Sequence, residues 1–304
     1  MYKKFLLVPI FILFFVSNLF AQDSYLSKIK KVHDEMLYPV VRVRAGDVGG
    51  SGTIVHSKKD SLGKVRTFII TNEHVVDNLI AVDKKWDEVM KAEVLKETMK
   101  TVFVEFFKYN NYSHNIGTFL VEGDIVAYSR VDGGQDWALI ETRDKEAFAP
   151  FVASLYPKDK VDSIYVWDEV YAVGASLLHP PIVTFGHITY MDDEIDNYKF
   201  WMSNASIIYG NSGGAVFRYS IERDKYEFIG IPSRISVYGG FTGTTAVSHM
   251  GYFVPIYRIY NLLDENCFQF IYNSNYTIEQ CVKMREQKKS RTIKLTEQQS
   301  LDKR

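Results

Sequence analysis

The stretch from Gly210 to Gly214 has the composition of a loop that presents a reactive hydroxyl. It reads Gly-Asn-Ser-Gly-Gly, and glycines on both sides of Ser212 let the backbone turn sharply and let another chain approach closely. Gly210, Asn211 and Ser212 form the candidate oxyanion hole, because the amides of Gly210 and Ser212 can converge on one point. Taken alone, the pattern fits a plain turn as well as a catalytic loop.

Two further polar residues stand next to apolar runs that are typical of strands. His74 follows the run over 68–70, and Asp136 precedes the run over 137–140. A serine hydroxyl needs a base to accept its proton, and histidine titrates near neutral pH. A carboxylate can orient the imidazole and stabilise its charged form. The residue types are compatible with Ser212 as nucleophile, His74 as base and Asp136 as its partner. Each residue alone has an ordinary structural explanation, and the roles are what the family resemblance described below implies.

The elements around these residues predict an all-β fold. Many short apolar runs are separated by glycine turns, which is typical of barrels and sandwiches. The division into two barrels, one over about 35–145 and a second over about 160–263 joined by the polar, proline-containing segment 143–163, is what the family resemblance described below implies. Short helices are expected at the ends, as an arm over 22–35 and a closing helix over 256–263.

Residues 83–100 interrupt the strand pattern and predict an amphipathic helix. Six apolar residues recur there at helical spacing among charges; they are Trp86, Val89, Met90, Val94, Leu95 and Met99. The apolar face of such a helix would pack on the first barrel. Alternatively, this helix could shape the rim of the cleft or dock a partner.

The N-terminal segment predicts export. Two lysines precede an apolar run over 5–16, and the small Ala21 ends a plausible cleavage site. We therefore interpret 1–21 as a signal peptide and expect a periplasmic or secreted protein without stable membrane insertion after cleavage. Leu19 is larger than signal peptidase prefers, so an uncleaved anchor remains an alternative.

The C-terminal segment 265–304 lies outside the predicted barrels. From Lys283 it is basic and poor in apolar residues, which predicts a disordered tail or, as an alternative, a surface-binding arm. Cys267 and Cys281 are the two cysteines of the chain, and export favours a disulfide between them. Two buried thiols or an intermolecular bridge are the alternatives.

Composition excludes several other classes of function. With 36 basic and 37 acidic residues, the formal net charge is −1, so neither nucleic acid nor an acidic membrane is an expected partner. No cysteine or histidine cluster has zinc-ligand spacing. We expect neither metal nor cofactor, and the oligomeric state stays open.

Four motifs resemble those of the trypsin-like serine peptidases, and of their HtrA/Deg branch in particular. The motifs are Gly50–Ile54, Thr71–Val76, Asp136–Ile140 and Gly210–Gly214. The resemblance covers about 35–263 and implies a peptidase domain over 22–264, two chymotrypsin-like barrels with the site between them, and hydrolysis of proteins or peptides. The roughly 40 residues after it are too few for the PDZ domain that HtrA/Deg enzymes usually append, which puts their regulated assembly in doubt.

The resemblance also implies a substrate pocket. Ser206 would lie at its base, with Ser233 and Ile235 on one side and Gly251 on the other. No carboxylate stands at the base position, so we expect a small or medium uncharged residue before the cut. Arg234 leaves an acidic preference open.

Asn211 takes the place of the aspartate that receives a new N-terminus in digestive relatives. Activity is therefore expected without a second activating cut.

Three other functions remain as alternatives. The first is a catalytically silent binding module on the same fold, and the second is a chaperone-like holder in which hydrolysis is secondary. The third is an esterase, although its nucleophile would usually stand in Gly-x-Ser-x-Gly at a strand-to-helix turn. Here Val216 and Phe217 predict a strand after Ser212.

Overall fold

The structure is a computed structural model that describes residues 25–46, 48–88, 91–110, 112, 114–129, 134–146, 148–240 and 243–301. The predicted signal peptide lies outside these residues. The strands are β1 (Val40–Ala45), β2 (Val48–Lys59), β3 (Val65–Thr71), β4 (Ile80–Asp87), β5 (Ala92–Met99), β6 (Val102–Asn110), β7 (His114–Tyr128), β8 (Ala138–Thr142), β9 (Glu169–Gly174), β10 (Ile182–Ile195), β11 (Tyr198–Ser203), β12 (Ala215–Ser220), β13 (Lys225–Gly240) and β14 (Gly243–Pro255).

Helical segments are few, as expected for an all-β chain. Residues 25–32 form an α-helical arm that continues as a π-helix, and two α-helices follow the last strand. The other helical segments are the π-helix His33–Leu37, the closing helix Ile256–Glu265, the C-terminal helix Ile278–Leu301, and the 3₁₀ turns Glu73–Val75, Asp77–Leu79, Lys158–Ser163, Ser176–Leu178 and Gln269–Ile271.

The strands close two antiparallel barrels, which confirms the predicted two-barrel fold. The first has the order β1-β2-β3-β8-β7-β6, and the second has the order β10-β11-β14-β13-β12-β9. Every second side chain of a strand points into the first barrel, and there Val41 and Val43 of β1 share a core with Ile54 and Ile69. The alternate side chains that point out of the first barrel, such as Phe68, belong to a larger core that continues into the second barrel.

The segment predicted as a helix over 83–100 is instead the β4–β5 hairpin, so that prediction is wrong. Val82 pairs with Glu97, and Trp86 pairs with Glu93. An interval of four residues, as between Leu95 and Met99, places side chains on one face of a helix and also on one face of a strand. Val89 and Met90, on which the prediction also rested, lie outside the described residues. The apolar spacing therefore fits both structures, and cross-strand pairing decides between them.

The C-terminal segment packs on the first barrel. Phe268 and Phe270 cover Phe68 on the outer face of β3, with ring centroids 6.0 and 5.1 Å from the Phe68 ring. We call Phe68, Phe268, Phe270 and the adjacent His56 the aromatic seam. The His56 ring stands edge-on to Phe270 at 5.0 Å.

The basic tail is helical to Leu301, whereas its composition predicts disorder. Thr277 and Gln280 form a capping box at the start of the helix, in which each side chain accepts the other residue's amide at 3.2 and 2.8 Å. Arg285 then anchors the second turn, because its Nη1 donates to the Cys267 carbonyl at 2.6 Å. Capping and docking supply the order that composition alone does not indicate.

The predicted disulfide is absent, because Cys267 and Cys281 are both buried free thiols. The Cys281 thiol points to Gln269, with 3.6 Å between Sγ and Oε1. The pair is therefore part of the packing of this segment and not a covalent staple.

Candidate active site

His74 lies in a short 3₁₀ turn directly after β3. The strand ends at Thr71, whose hydroxyl donates to the Ser51 carbonyl at 2.7 Å, and the chain turns at once into Glu73–Val75. Asn72 fixes the turn from the other side, because its Nδ2 donates to the carbonyl of Asp136 at 2.7 Å. The turn therefore ties the histidine and the aspartate together through backbone contacts as well as through their side chains.

Asp136 is a buried carboxylate that accepts hydrogen bonds from three groups. The His74 ring Nδ1 lies 2.8 Å from Oδ1 and 3.0 Å from Oδ2, and the His74 amide donates to Oδ1 at 3.2 Å. Ser233 Oγ donates to Oδ2. Because an ionised carboxylate only accepts, the imidazole proton belongs on Nδ1, and Nε2 is left with its lone pair.

The two residues shift each other's pKa in opposite directions. Burial opposes the charged form of His74, but the hydrogen bond to Asp136 and its charge outweigh burial and raise the pKa of His74 above the usual value. Burial also opposes the charge of Asp136, yet the bonds from His74 and Ser233 hold the pKa of this carboxyl below its usual range. The pair can therefore stabilise an imidazolium while the carboxylate stays ionised.

Glu73 adds a second carboxylate beside this pair. Burial, followed by the charges of Asp136 and Asp77, raises the pKa of Glu73 to about 7. Its Oε1 is buried without a hydrogen-bond partner. Glu73 was not singled out by the sequence analysis, since nothing in its spacing distinguishes it from an ordinary surface glutamate.

Ser212 belongs to the second barrel and is held against the first. The Ser51 amide donates to the Ser212 carbonyl at 2.7 Å. Gly213 has φ +84°, and a Cβ there would lie 2.1 Å from the Ser51 carbonyl oxygen, so only glycine fits. In the described part of the chain, no hydrogen bond joins the Ser212 hydroxyl to His74. Contacts of this kind often tighten only when substrate binds.

The carbonyl of Tyr209 fixes how the candidate oxyanion hole is oriented. It accepts from the Leu177 amide at 2.8 Å. Carbonyl and N–H point in opposite directions across a trans peptide, so the Gly210 N–H points away from Leu177. Gly210 itself has φ +94°, and a Cβ there would lie 2.6 Å from the Ala175 carbonyl oxygen.

Within the described residues, the amides of Gly210 and Ser212 make no backbone hydrogen bond. The Asn211 amide, by contrast, donates to the Ile208 carbonyl at 3.1 Å. Gly210 and Ser212 are thus the free donors of the loop, and the Asn211 amide is not. The Asn211 side chain braces the loop instead, because its Oδ1 accepts from Ser176 Oγ at 2.6 Å.

Ser51 is a further brace that the sequence analysis did not assign. Its hydroxyl donates to the Gly210 carbonyl at 2.6 Å and accepts from the Ala175 amide at 2.7 Å. Its place in the Gly-Ser-Gly turn could have drawn attention to it. A partner across 159 residues of sequence gives no local signal.

The predicted pocket residues separate into different roles. Gly251 and Ile235 face each other in the β13–β14 register. Ile207 packs against Gly251, because a Cβ on Gly251 would lie 2.7 Å from Ile207 Cδ1. Ser206 is exposed, and its carbonyl accepts from Thr184 Oγ1 at 2.8 Å. The hydroxyl of Ser233 binds Asp136, so this side chain contacts the candidate triad.

Two features are absent from the described residues. No group of three or more histidine, cysteine, aspartate or glutamate side chains could hold a metal ion there. No helix in that part of the chain is long and apolar enough to cross a membrane.

Comparisons with known proteins agree with this architecture. The family model of the trypsin-like peptidase domain matches residues 50–223, more than half of the chain. Among solved structures, an HtrA-type protease, AlgW with tripeptide, superposes with a TM-score of 0.52 at 17% identity, over 81% of this chain and 64% of that one. The chain thus spans less than two thirds of that protein, and the likeness shows the fold. No curated protein sequence matches the chain.

Proposed function

Since the chain belongs to the trypsin-like peptidase family, we propose that it is an exported serine endopeptidase with His74, Asp136 and Ser212 as its catalytic triad. The observation that carries the proposal is the hydrogen bond of 2.8 Å between His74 Nδ1 and the buried Asp136 carboxylate. It leaves Nε2 unprotonated at the mouth of the cleft, where the His74 side chain is 44% exposed.

The proposed reaction proceeds through an acyl-enzyme. Ser212 Oγ attacks the scissile carbonyl carbon while His74 Nε2 accepts the hydroxyl proton. The amides of Gly210 and Ser212 donate to the oxyanion, and one such donor is typically worth about 3 kcal/mol of barrier. His74 passes the proton to the leaving amine. Water then attacks the ester with His74 again as base, which frees the acid product and restores Ser212.

The proposed substrates are proteins or peptides with a small apolar residue before the cut. Ile235 stands opposite Gly251 in the β13–β14 register, and Ile207 packs against Gly251, so these residues would offer an apolar and narrow surface to the residue before the cut. A lysine or arginine would lose its hydration there without gaining an ion pair. The residue expected before the cut is alanine or valine.

Fluorophosphonate labelling of the purified mature protein tests the activated serine. We expect wild type to be labelled and Ser212→Ala and His74→Ala to be unlabelled, with near-native thermal stability in both variants. A folded wild type that resists labelling would contradict the proposal and favour the silent binding module, for which the missing Ser212–His74 hydrogen bond is the supporting observation. Mass spectrometry of digests from a peptide library then tests the predicted residue before the cut.

A further inference from the structure

A second cavity lies next to the oxyanion loop. It has a volume of about 480 Å³ and includes the backbone of Gly210 and the side chain of Tyr209. None of the residues Ile207, Ile235 and Gly251 lines it. The cavity therefore shares no lining residue with the proposed apolar pocket: Tyr209 and Gly210 line the cavity, whereas Ile207, earlier in the same segment, belongs to the pocket.

Two arginines of β1 give this cavity a positive charge. Arg42 and Arg44 both line it, and strand alternation turns both to the outer face of the first barrel. They share one carboxylate, that of Glu105, whose Oε2 lies 2.8 Å from Arg44 Nη2 and 3.5 Å from Arg42 Nη1. Two guanidinium groups beside the one carboxylate of Glu105 leave one positive charge uncompensated among the residues that the structure describes. Asp47 is not among the described residues.

Arg42 has an unused donor in addition to its charge. Its side chain is 12% exposed, and its Nε is buried without a hydrogen-bond partner. An unpaired buried donor is costly, and a guanidinium is shaped to bind a carboxylate through two parallel N–H groups. Arg42 and Arg44 together therefore offer more N–H donors than the one carboxylate beside them accepts.

The opposite wall of the cavity is apolar and strained. Leu177 and Leu178 are exposed and have φ +49° and +64°, a region that bulky residues rarely adopt. The turn is held there because the Leu177 amide binds the Tyr209 carbonyl. Strain maintained at an exposed apolar turn is typical of a ligand contact. The methylene groups of an acidic side chain would pack on this wall.

An extended substrate would deliver its second residue after the cut to this cavity. Successive side chains of an extended strand point to opposite sides, so the residue before the cut and the second residue after it point to the same side. Both then lie along the segment from Ile207 to Gly210, one at each end.

From these contacts we propose that the cavity binds the second residue on the leaving-group side and prefers glutamate or aspartate there. Arg42 and Arg44 bind the carboxylate, and the two leucines pack against its stem. The inference rests on the proposed function for the direction of the bound chain.

Matched peptides test the preference with two readouts. Each peptide carries valine before the cut and Glu, Gln or Lys at the second position after it, and mass spectrometry verifies the cut. Binding of the intact peptides to Ser212→Ala protein is measured by fluorescence anisotropy, and cleavage by wild type is measured as kcat/KM. Because a charge-assisted pair outweighs a neutral one, we expect Glu over Gln by roughly ten-fold in both readouts, and Lys weakest.

Arg42→Gln and Arg44→Gln should each reduce the Glu-to-Gln ratio towards one. The ratio is the readout, so a general loss of activity does not imitate the effect. Arg234→Gln is the matched control, since Arg234 is paired with Asp196 outside this cavity, and it should keep the ratio. Equal binding of the three peptides to the Ser212→Ala protein, or a glutamate preference lost only in Arg234→Gln, would overturn the inference. A preference in binding without any cleavage would uphold it and contradict the peptidase proposal.

Discussion

Two histidines of the first barrel occupy opposite environments. His74 opens to the cleft beside a buried carboxylate, which raises its pKa. His56 is 6% exposed in the aromatic seam, edge-on to Phe68 and Phe270 at 5.8 and 5.0 Å. Burial, followed by the charges of Lys58 and Arg66, lowers the pKa of His56 to about 4.

The difference shows how one residue type can serve chemistry or packing. In the cleft, hydrogen bonds from three groups keep Asp136 ionised, and this charge makes protonation of His74 easier. In the seam, no described carboxylate compensates a charge on His56, and its Nε2 is buried without a partner. The cleft is therefore expected to respond to mutation in activity, and the seam in stability.

The largest expected effect is on catalysis. Asp136→Asn removes the charge that orients and stabilises the His74 imidazolium, and kcat should fall about 10⁴-fold. The measurement is peptide hydrolysis by protein whose melting temperature has been verified. His56→Gln is the matched control from the seam and should keep kcat, so equal losses in the two variants would remove the distinction between the regions.

Truncating a side chain of the aromatic seam should lower stability and not activity. Phe268→Ala deletes a buried ring that contacts Phe68 and Phe270 and stacks under Arg285, whose guanidinium carbon lies 4.2 Å from the ring centroid. The free energy of unfolding in urea should fall by about 3–5 kcal/mol, as for other buried aromatic truncations.

Ile221→Ala, at an exposed side chain, is the control and should change the unfolding free energy little. An unfolding free energy of Phe268→Ala equal to that of wild type would mean that the C-terminal segment is not part of the core.

Acid should weaken the seam through His56. Its pKa is about 4 in the folded chain and about 6.5 when unfolded, so the unfolded state binds more protons between these values and stability falls as the pH falls. At pH 5 the loss relative to pH 8 is about 2 kcal/mol. Urea titrations of wild type and His56→Gln at both pH values measure it. Between pH 8 and pH 5, the free energy of unfolding should fall by about 2 kcal/mol less in His56→Gln than in wild type. Equal falls in the two proteins would mean that other groups cause the acid sensitivity.

The smallest expected effect is a displacement of the pH profile in the cleft. Catalysis requires neutral His74, whose pKa is raised, so kcat/KM should fall with decreasing pH around a midpoint above 6.5. The charge of Glu73 contributes to that raised pKa, and Glu73→Gln should therefore move the midpoint to lower pH. An upward movement in Glu73→Gln would contradict this electrostatic account, and His56→Gln should leave the midpoint in place.

Local sequence signals predicted an all-β fold and the residue types of the candidate site, and the resemblance of four motifs to a known family implied the two barrels. Strand periodicity and glycine turns act over a few residues, and so they are visible without a structure. The wrong predictions concern segments in which local spacing is ambiguous or silent. The interval between Leu95 and Met99 fits a helix and a hairpin equally, and the capping box at Thr277 lies in a segment whose composition indicates disorder.

The sequence by itself determined the chemistry that is available, because side-chain identity sets which groups can attack, accept a proton or carry charge. His74, Asp136 and Ser212 are separated by 62 and 76 residues along the chain. Only the tertiary structure decided that Ser233 binds Asp136, that Ser51 braces Gly210, and that Arg42 and Arg44 share one carboxylate. These contacts join distant strands, and the free energy that selects them comes from closing both barrels at once and not from any local pattern.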